Sequence, residues 1–131
     1  LKKSAAQIHL DQNIGRLKVR GNQLLLQQVM VNLLSNAIHA VSDAENKQIS
    51  ITATESQDRV FVGVEDYGPG IAPEEVDQIF DPFYTTKKSG EGLGLGLTIT
   101  ERILNEMGAS IKVESNPAAT RFEISLATAE I

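Results

Sequence analysis

The sequence predicts an α+β fold, a two-layer sandwich in which a mixed β-sheet carries its helices on one face. Segments in which apolar and polar residues alternate come in pairs, near the start, in the middle and at the end of the chain. Longer segments with the apolar spacing of a helix separate these pairs. The resulting order, strands, helix, strand pair, helix-rich segment and strand pair, is typical of helices packed against one face of a sheet.

The composition favours one folded domain, residues 1–131, without a nucleic-acid partner. A chain of 131 residues can bury about two-thirds of its unfolded surface. Its net charge is −5, and no basic run exceeds Lys87-Lys88. The absence of cysteine excludes disulfides and thiolate metal sites. No wholly apolar run approaches the roughly 18 residues of a membrane span. We therefore expect a domain that is not inserted in a membrane, and, since the chain begins with Leu1, a piece of a longer protein.

The first half of the chain predicts two strand pairs around one long helix. Residues 5–12 and 16–20 alternate and form the first pair. Gln23–Val41 contains no glycine or proline and is the longest helical pattern, with Asn22 as its N-cap. Residues 47–54 and 59–66 form the second pair, joined by the polar turn 55–58.

The second half predicts a helix-rich segment followed by a last strand pair. Pro73 and the two glutamates after it begin a short helix. Residues 80–92 have no sustained period and indicate a mobile loop. A second long helix covers residues 101–107 and ends at Gly108. Residues 110–114 and 120–126 alternate as the closing strands.

Glycines alternate at positions 90, 92, 94 and 96, just before the second long helix. Glycines at such a density are unfavourable for backbone entropy unless the backbone must approach something closely. Free amides at a helix start carry partial positive charge, so the expected guest is a phosphate.

An aligned set of polar residues marks the long helix. Asn32, Asn36 and His39 are spaced i, i+4 and i+7, so they share one face, and Gln28 extends it by a turn. Their apolar neighbours, Ile38 among them, indicate an otherwise buried helix. Solvent exposure, or hydrogen bonds from the asparagines to nearby backbone, remains an alternative. The other hypothesis is a magnesium site, since an amide oxygen suits this hard cation.

Asp66 ends an alternating strand on the face that carries its valines, where an unpaired carboxylate would be unfavourable. It could simply open the next turn by accepting a backbone amide. The turn itself contains Gly68 and Gly70 around Pro69 and lets backbone contact a flat ligand. The exocyclic amine of adenine is a donor that would suit the carboxylate.

A third element is the aromatic and basic segment 80–87, FDPFYTTK. Its aromatic residues are anchors on the body of the domain or ligand contacts, and its lysines are solvated or neutralise a triphosphate. A P-loop, a G-x-G-x-x-G fingerprint and protein-kinase landmarks are all absent from the sequence.

Together these motifs resemble the catalytic ATP-binding domain of bacterial sensor histidine kinases, in the wider GHKL class with gyrase, Hsp90 and mismatch-repair ATPases. Residues 32–37 (NLLSNA) are similar to the N box, and residues 66–71 (DYGPGI) to the first glycine box. Residues 80–83 (FDPF) are similar to the F box and residues 92–97 (GLGLGL) to the second glycine box. The resemblance implies the Bergerat fold and covers nearly the whole chain.

The resemblance also implies a set of site residues. Asn36 would bind the magnesium ion that bridges the ATP phosphates, Asn32 would share the catalytic face, and residues 80–92 would be the ATP lid. The nucleotide-binding set would be Asn36, His39, Asp66, Gly68, Gly70, Ile71, Phe83, Thr86, Lys87, Gly92, Leu93, Gly94, Leu95, Gly96, Leu97 and Thr120. Two positions depart from the family: Ala119 replaces a glycine before Thr120, and His39 replaces a lysine or arginine.

The activity implied is transfer of the γ-phosphoryl group to a histidine on a separate dimerisation and phosphoacceptor domain of the same parent, with a response regulator downstream. Hydrolysing relatives carry glutamate where this chain has Asn32, an amide without useful basicity. Neither His9 nor His39 has the context of the acceptor, so the chain alone should not phosphorylate itself. We expect a monomeric cytoplasmic domain, and a homodimeric parent in the inner membrane.

The sequences of these motifs are most similar to those of the nitrogen-regulation and C4-dicarboxylate sensor kinases. Three alternatives remain open: a hydrolysing ATPase or clamp module, a serine kinase of the anti-sigma type, and a degenerate binding module without chemistry.

Overall fold

The computed structural model describes residues 7–10, 23–42, 44–81 and 96–128. Five strands of this part of the chain form one sheet in the order β1-β2-β3-β5-β4. β1 is parallel to β2, and the other neighbours are antiparallel. The mixed sheet predicted from the sequence is confirmed. The elements are β1 (Gln7–Leu10), α1 (Gln23–Val41), β2 (Gln48–Ser56), β3 (Arg59–Asp66), α2 (Pro73–Val76), α3 (Gly96–Glu106), β4 (Ser110–Asn116) and β5 (Ala119–Ala127).

The core lies between one face of the sheet and the helices. On α1 the buried residues are spaced four apart and form one stripe, which packs with inward-facing strand residues such as Ile49, Val64 and Ile124. α3 adds Ile103 and Leu104 to the same core. The stripe on α1 consists of Val29, Leu33, Ala37 and Val41.

The side of α1 that faces away from the sheet differs from the expectation of a helix buried all round. Leu24, Val31 and Ile38 are exposed, and their spacing of seven places them opposite the buried stripe. By length and composition alone α1 could cross a bilayer. Its buried stripe identifies it as the core helix of this fold. Beyond its C-terminus, the Lys47 ammonium donates to three carbonyl oxygens, those of Val41, Ser42 and Ala44, at 2.7–3.1 Å.

α3 begins at Gly96, five residues before the predicted start at residue 101. Its first turn contains glycine and β-branched residues, which are poor helix formers. Tertiary hydrogen bonds offset that preference: Thr98 Oγ1 donates to the carbonyl of Phe80 at 2.8 Å. The predicted end is confirmed, because Gly108 adopts φ +71 just after the last turn.

The strand predictions differ from the structure mainly in partners and ends. β1 pairs with β2, whereas its predicted partner, residues 16–20, lies outside the described residues. β2 continues to Ser56, because Gln57 and Asp58 both adopt positive φ and make a two-residue turn. β4 and β5 likewise extend further toward each other than predicted.

Candidate functional site

Asp66 is the last residue of β3 and lies opposite Thr120 of β5. Both side chains are 4% exposed. Burial raises the pKa of the Asp66 carboxyl; the Gly68 amide lowers it in part, and nearby Glu65 raises it. The Gly68 amide donates to Asp66 Oδ1 at 3.0 Å, so the turn-opening bond considered from the sequence is present. Within the described residues the second carboxylate oxygen has no hydrogen-bond donor.

The turn after Asp66 packs against two rigid parts of the backbone. A Cβ on Gly68 would lie 2.6 Å from the carbonyl oxygen of Ala40 on α1. Gly70 has φ +82, and a Cβ there would overlap the carbonyl of Asn116 in β4. The first glycine turn is therefore held between the end of α1 and the β4–β5 hairpin.

Ser115 fastens this turn, and sequence reasoning missed it. Its hydroxyl accepts the backbone amide of Ile71 at 2.7 Å and lies 2.9 Å from the hydroxyl of Thr120. One side chain thus connects Ile71 and Thr120, two residues of the predicted nucleotide-binding set. A single serine before Asn116-Pro117 is an ordinary turn residue, so the sequence carried no signal for this role.

Asn32 joins α1 to the beginning of α3. Its Nδ2 donates to Thr100 Oγ1 at 3.1 Å and to the carbonyl oxygen of Gly96 at 3.3 Å. Its Oδ1 accepts Gln28 Nε2 at 3.3 Å. Both ends of this carboxamide are therefore in use. Asn32 cannot act as a base that activates water, because an amide has no useful basicity.

Asn36 lies one turn further along α1, at the border of the buried stripe, and is half-buried. In contrast to Asn32, its carboxamide makes no hydrogen bond within the part of the chain that the structure describes. His39 is exposed near the C-terminal end of the same face. The carboxamide oxygen of Asn36 is therefore available to a ligand.

The described motifs meet along α1. Asn32 bonds to Gly96 at the start of α3, Ala40 contacts Gly68 of the first glycine turn, and Asn36 lies between them. With a rise of 1.5 Å per residue, Asn36 is about 6 Å along the helix axis from each neighbour. The amide face, the carboxylate turn and the end of the second glycine box therefore border one region.

Phe80 and Thr98 join the two ends of the segment that contains the predicted lid, through the hydrogen bond from Thr98. The Phe80 ring meets Phe122 edge to face, with 6.4 Å between centroids. Phe80 is thus an anchor on the core, as the first of the two hypotheses for the aromatic residues has it. Leu97, also in the first turn of α3, packs against the core.

Several predicted site residues lie outside the described part of the chain, and their roles stay predictions. They are Phe83, Thr86, Lys87, Gly92, Leu93, Gly94 and Leu95.

A magnesium ion at Asn36 requires oxygen donors beyond the described side chains. Among the residues that the structure describes, no three acidic, histidine or cysteine side chains form a metal cluster. One free amide oxygen fits a magnesium ion whose other ligands are phosphate oxygens and water, which is how this ion usually binds with nucleotides. It does not fit an ion held by protein alone.

Comparison with known proteins identifies the family that the sequence motifs resemble. The family described as histidine kinase-, DNA gyrase B- and HSP90-like ATPase matches residues 21–130. The C4-dicarboxylate transport sensor protein DctB of Rhizobium meliloti is 40% identical over 119 residues, 91% of this chain and 19% of that protein. The sensor histidine kinase ZraS of Salmonella typhimurium is 40% identical over 110 residues, 83% of this chain and 23% of that protein. The chain thus spans about a fifth of the length of these curated relatives.

Solved structures agree on the fold. The nucleotide-free catalytic domain of histidine kinase ThkA has a TM-score of 0.76 at 32% identity and covers 94% of this chain and 78% of its own. Full-length ShkA, in complex with AMPPNP, has a TM-score of 0.81 at 27% identity over 96% of this chain and 27% of its own. The predicted fold class and resemblance are confirmed. This chain belongs to the histidine kinase-, DNA gyrase B- and HSP90-like ATPase family.

Proposed function

We propose that this chain binds ATP with magnesium and transfers the γ-phosphoryl group to a histidine on a separate dimerisation and phosphoacceptor domain of its parent. The observation that carries the proposal is the meeting of three motifs along α1, with the uncommitted carboxamide of Asn36 between Gly68 and Gly96. The names of the relatives, which are sensor histidine kinases and sensor proteins, support the same activity.

Asp66 is suited to receive the exocyclic amine of adenine. A buried carboxylate oxygen without a donor is unfavourable, and the amine would supply the donor. Gly70, Ile71 and Thr120 would border the base, because Ser115 holds the turn and the Thr120 hydroxyl together. His39 would lie at the rim of the same helix face.

Asn36 is suited to hold the magnesium ion through its carboxamide oxygen. Magnesium bound there would neutralise charge on the phosphates. The amides of residues 92–96 would face the same phosphates at the start of α3, where Leu97 packs against the core. Thr86 and Lys87 would add donors from the lid, residues 80–92, and Phe83 would cover the nucleotide.

Transfer is favoured over hydrolysis by what stands at position 32. Hydrolysis needs a base that activates water, and Asn32 is an amide whose nitrogen is bonded to Thr100 and Gly96. In-line transfer needs positioning and charge neutralisation more than a base on this domain. The AMPPNP complex of full-length ShkA, part of which has the same fold as this chain, supports nucleotide binding.

The partners follow from the activity. The phosphoacceptor domain would belong to the same parent, and a response regulator would receive the phosphoryl group next. We further propose that residues 1–131 are monomeric when isolated, that the parent is a homodimeric sensor in the inner membrane, and that this domain lies on its cytoplasmic side.

Titration of the protein with ATP, in magnesium and in excess chelator, tests the site. Asn36→Ala should weaken magnesium-dependent binding by about tenfold or more, equivalent to ~1.4 kcal/mol. Asn105→Ala, which removes an exposed asparagine on α3, is the matched control and should bind like the wild type. Unchanged binding by Asn36→Ala would remove the metal role.

Labelling with γ-labelled ATP tests the activity. The chain alone should stay unlabelled, and a dimerisation domain from its parent should become labelled when both are mixed. Strong self-labelling, or steady release of phosphate without a partner domain, would instead favour the hydrolysing or self-contained alternatives.

A further inference from the structure

We propose that Thr100 is a positioning residue for the phosphates: its hydroxyl, together with Asn32, holds Gly96 against the helix that carries Asn36. This inference rests on the proposed ATP site and adds a residue that no glycine or asparagine motif contains. On this proposal, the distance between Gly96 at the start of α3 and Asn36 on α1 depends on one buried hydroxyl.

The hydroxyl of Thr100 lies in a closed set of three hydrogen bonds. Thr100 Oγ1 donates to the Gly96 carbonyl at 2.8 Å and accepts from Asn32 Nδ2 at 3.1 Å. The same Nδ2 reaches the Gly96 carbonyl at 3.3 Å. Thr100 is 0% exposed, so the two bonds of its hydroxyl are partly shielded from water, whereas the bond from Asn32 to the Gly96 carbonyl is exposed. The two bonds donated by Asn32 are specific to this packing of the two helices.

Folding alone does not require this hydroxyl. A threonine in a helix can satisfy itself by donating to the carbonyl four residues earlier, as Thr100 does with Gly96. Valine has nearly the same shape and would fill the same buried volume. The feature that needs threonine is the second bond, since only an oxygen at this point can accept the amide of Asn32.

The bond links the two sides on which a polyphosphate would be held. Asn32 and Asn36 are one turn apart on α1, about 6 Å along the axis. Gly96 opens α3, and within 4 Å a Cβ there would meet no atom of the described residues. Fixing α3 at Asn32 therefore fixes the Gly96 amide relative to the Asn36 carboxamide. A misplacement of about 1 Å between groups that position a substrate can lower a reaction rate about a hundredfold.

Two ligands separate positioning from a purely structural role. Magnesium ATP uses both the base and the phosphate sides of the site, whereas adenosine uses the base side only. A substitution that merely loosens the fold should weaken both ligands together. One that misplaces the phosphate side should weaken ATP and spare adenosine.

The experiment compares Thr100→Val, which keeps the shape, with Thr100→Ser, which keeps the hydroxyl. Circular dichroism checks that each variant folds, and calorimetric competition gives both affinities. We expect Thr100→Val to bind magnesium ATP about five- to twentyfold more weakly, with adenosine within about twofold of wild type. Thr100→Ser should restore ATP binding to within about twofold of wild type.

Asn32→Ala breaks the same bond from the other helix and serves if Thr100→Val does not fold. It should show the same loss for ATP alone, and the double variant should lose no more than the larger single effect. If Thr100→Val binds ATP with wild-type affinity, the inference is overturned; the same holds for Asn32→Ala where it is the variant tested. An equal loss of affinity for ATP and for adenosine also overturns it. A wild-type protein that binds neither ligand would refute the proposed ATP site instead.

Discussion

The two glycine boxes use glycine for different reasons. In the first turn, Gly68 leaves room for the carbonyl of Ala40, and Gly70 combines φ +82 with a close approach to Asn116. The second box ends at Gly96, where a Cβ would meet no described atom within 4 Å and φ is not in the left-handed region. The fold requires the first two glycines and does not require the third.

This difference separates fold from ligand inside one set of motifs. A glycine that prevents a backbone clash would be needed even in a protein that had lost its nucleotide. A glycine beside open space, at the start of a helix with free amides, is explained by a ligand that needs the room. Substitution by alanine should therefore act on stability in the first turn and on affinity in the second.

The largest effect is expected from Gly70→Ala. Left-handed backbone is unfavourable for alanine by about 1–2 kcal/mol, and overlap with the Asn116 carbonyl adds about 1–3 kcal/mol. We expect the free energy of unfolding to fall by about 3 kcal/mol, measured by urea denaturation.

Gly108→Ala is the matched control for that experiment. Gly108 has φ +71, yet a Cβ there would meet nothing within 4 Å. Only the backbone term should remain, about 1–2 kcal/mol. Equal losses in the two variants would show that the approach of Asn116 does not matter, and the comparison of the glycine turns would fail.

Gly96→Ala should show the opposite pattern. Since alanine is the better helix former, stability should stay unchanged or rise by up to about 1 kcal/mol. A methyl group in the open space should weaken magnesium ATP by about tenfold, while adenosine binding changes little. If the variant folds and its ATP affinity is unaltered, the open space beside Gly96 is not occupied by the ligand.

Local patterns account for what the sequence could predict. α1 was predicted with the observed bounds because its 19 residues contain no breaker and repeat one apolar spacing. β3 was also predicted at its observed ends. The parallel pairing of β1 with β2 was out of reach, because alternation shows that a strand exists and not which distant strand it joins.

The candidate site shows the same boundary. The motifs placed Asn32 and Asn36 on one face of α1, which the structure bears out. Sequence could not tell that one carboxamide is occupied by α3 and the other is uncommitted, since that depends on Thr100 and Gly96 from a distant segment. The early start of α3 and the role of Ser115 depend on tertiary hydrogen bonds in the same way.

Asp66 sharpens the comparison, because it lies directly before the first glycine turn, which the fold requires, and yet its carboxylate is suited to the ligand. Burial raises its pKa above the ordinary value of 3.8. As pH rises through that value, the unfolded chain loses its proton first, so this group's contribution to stability is lost between 3.8 and the raised pKa. Asp66→Asn carries no such proton, and its stability relative to wild type should increase from pH 3.5 to pH 7.

The same variant should lose ATP affinity, because its one amide oxygen would be occupied by the Gly68 amide. Urea denaturation at several pH values, with ATP titration at pH 7, measures both effects. Asp77→Asn removes the same charge from an exposed position and controls for net charge. The opposite result would be a stability of Asp66→Asn, relative to wild type, that falls from pH 3.5 to pH 7. It would mean that the Asp66 charge stabilises the fold. Asp66 would then be a residue that the fold requires, like Gly68 and Gly70. The distinction between residues that serve the fold and residues that serve the nucleotide would not hold at Asp66.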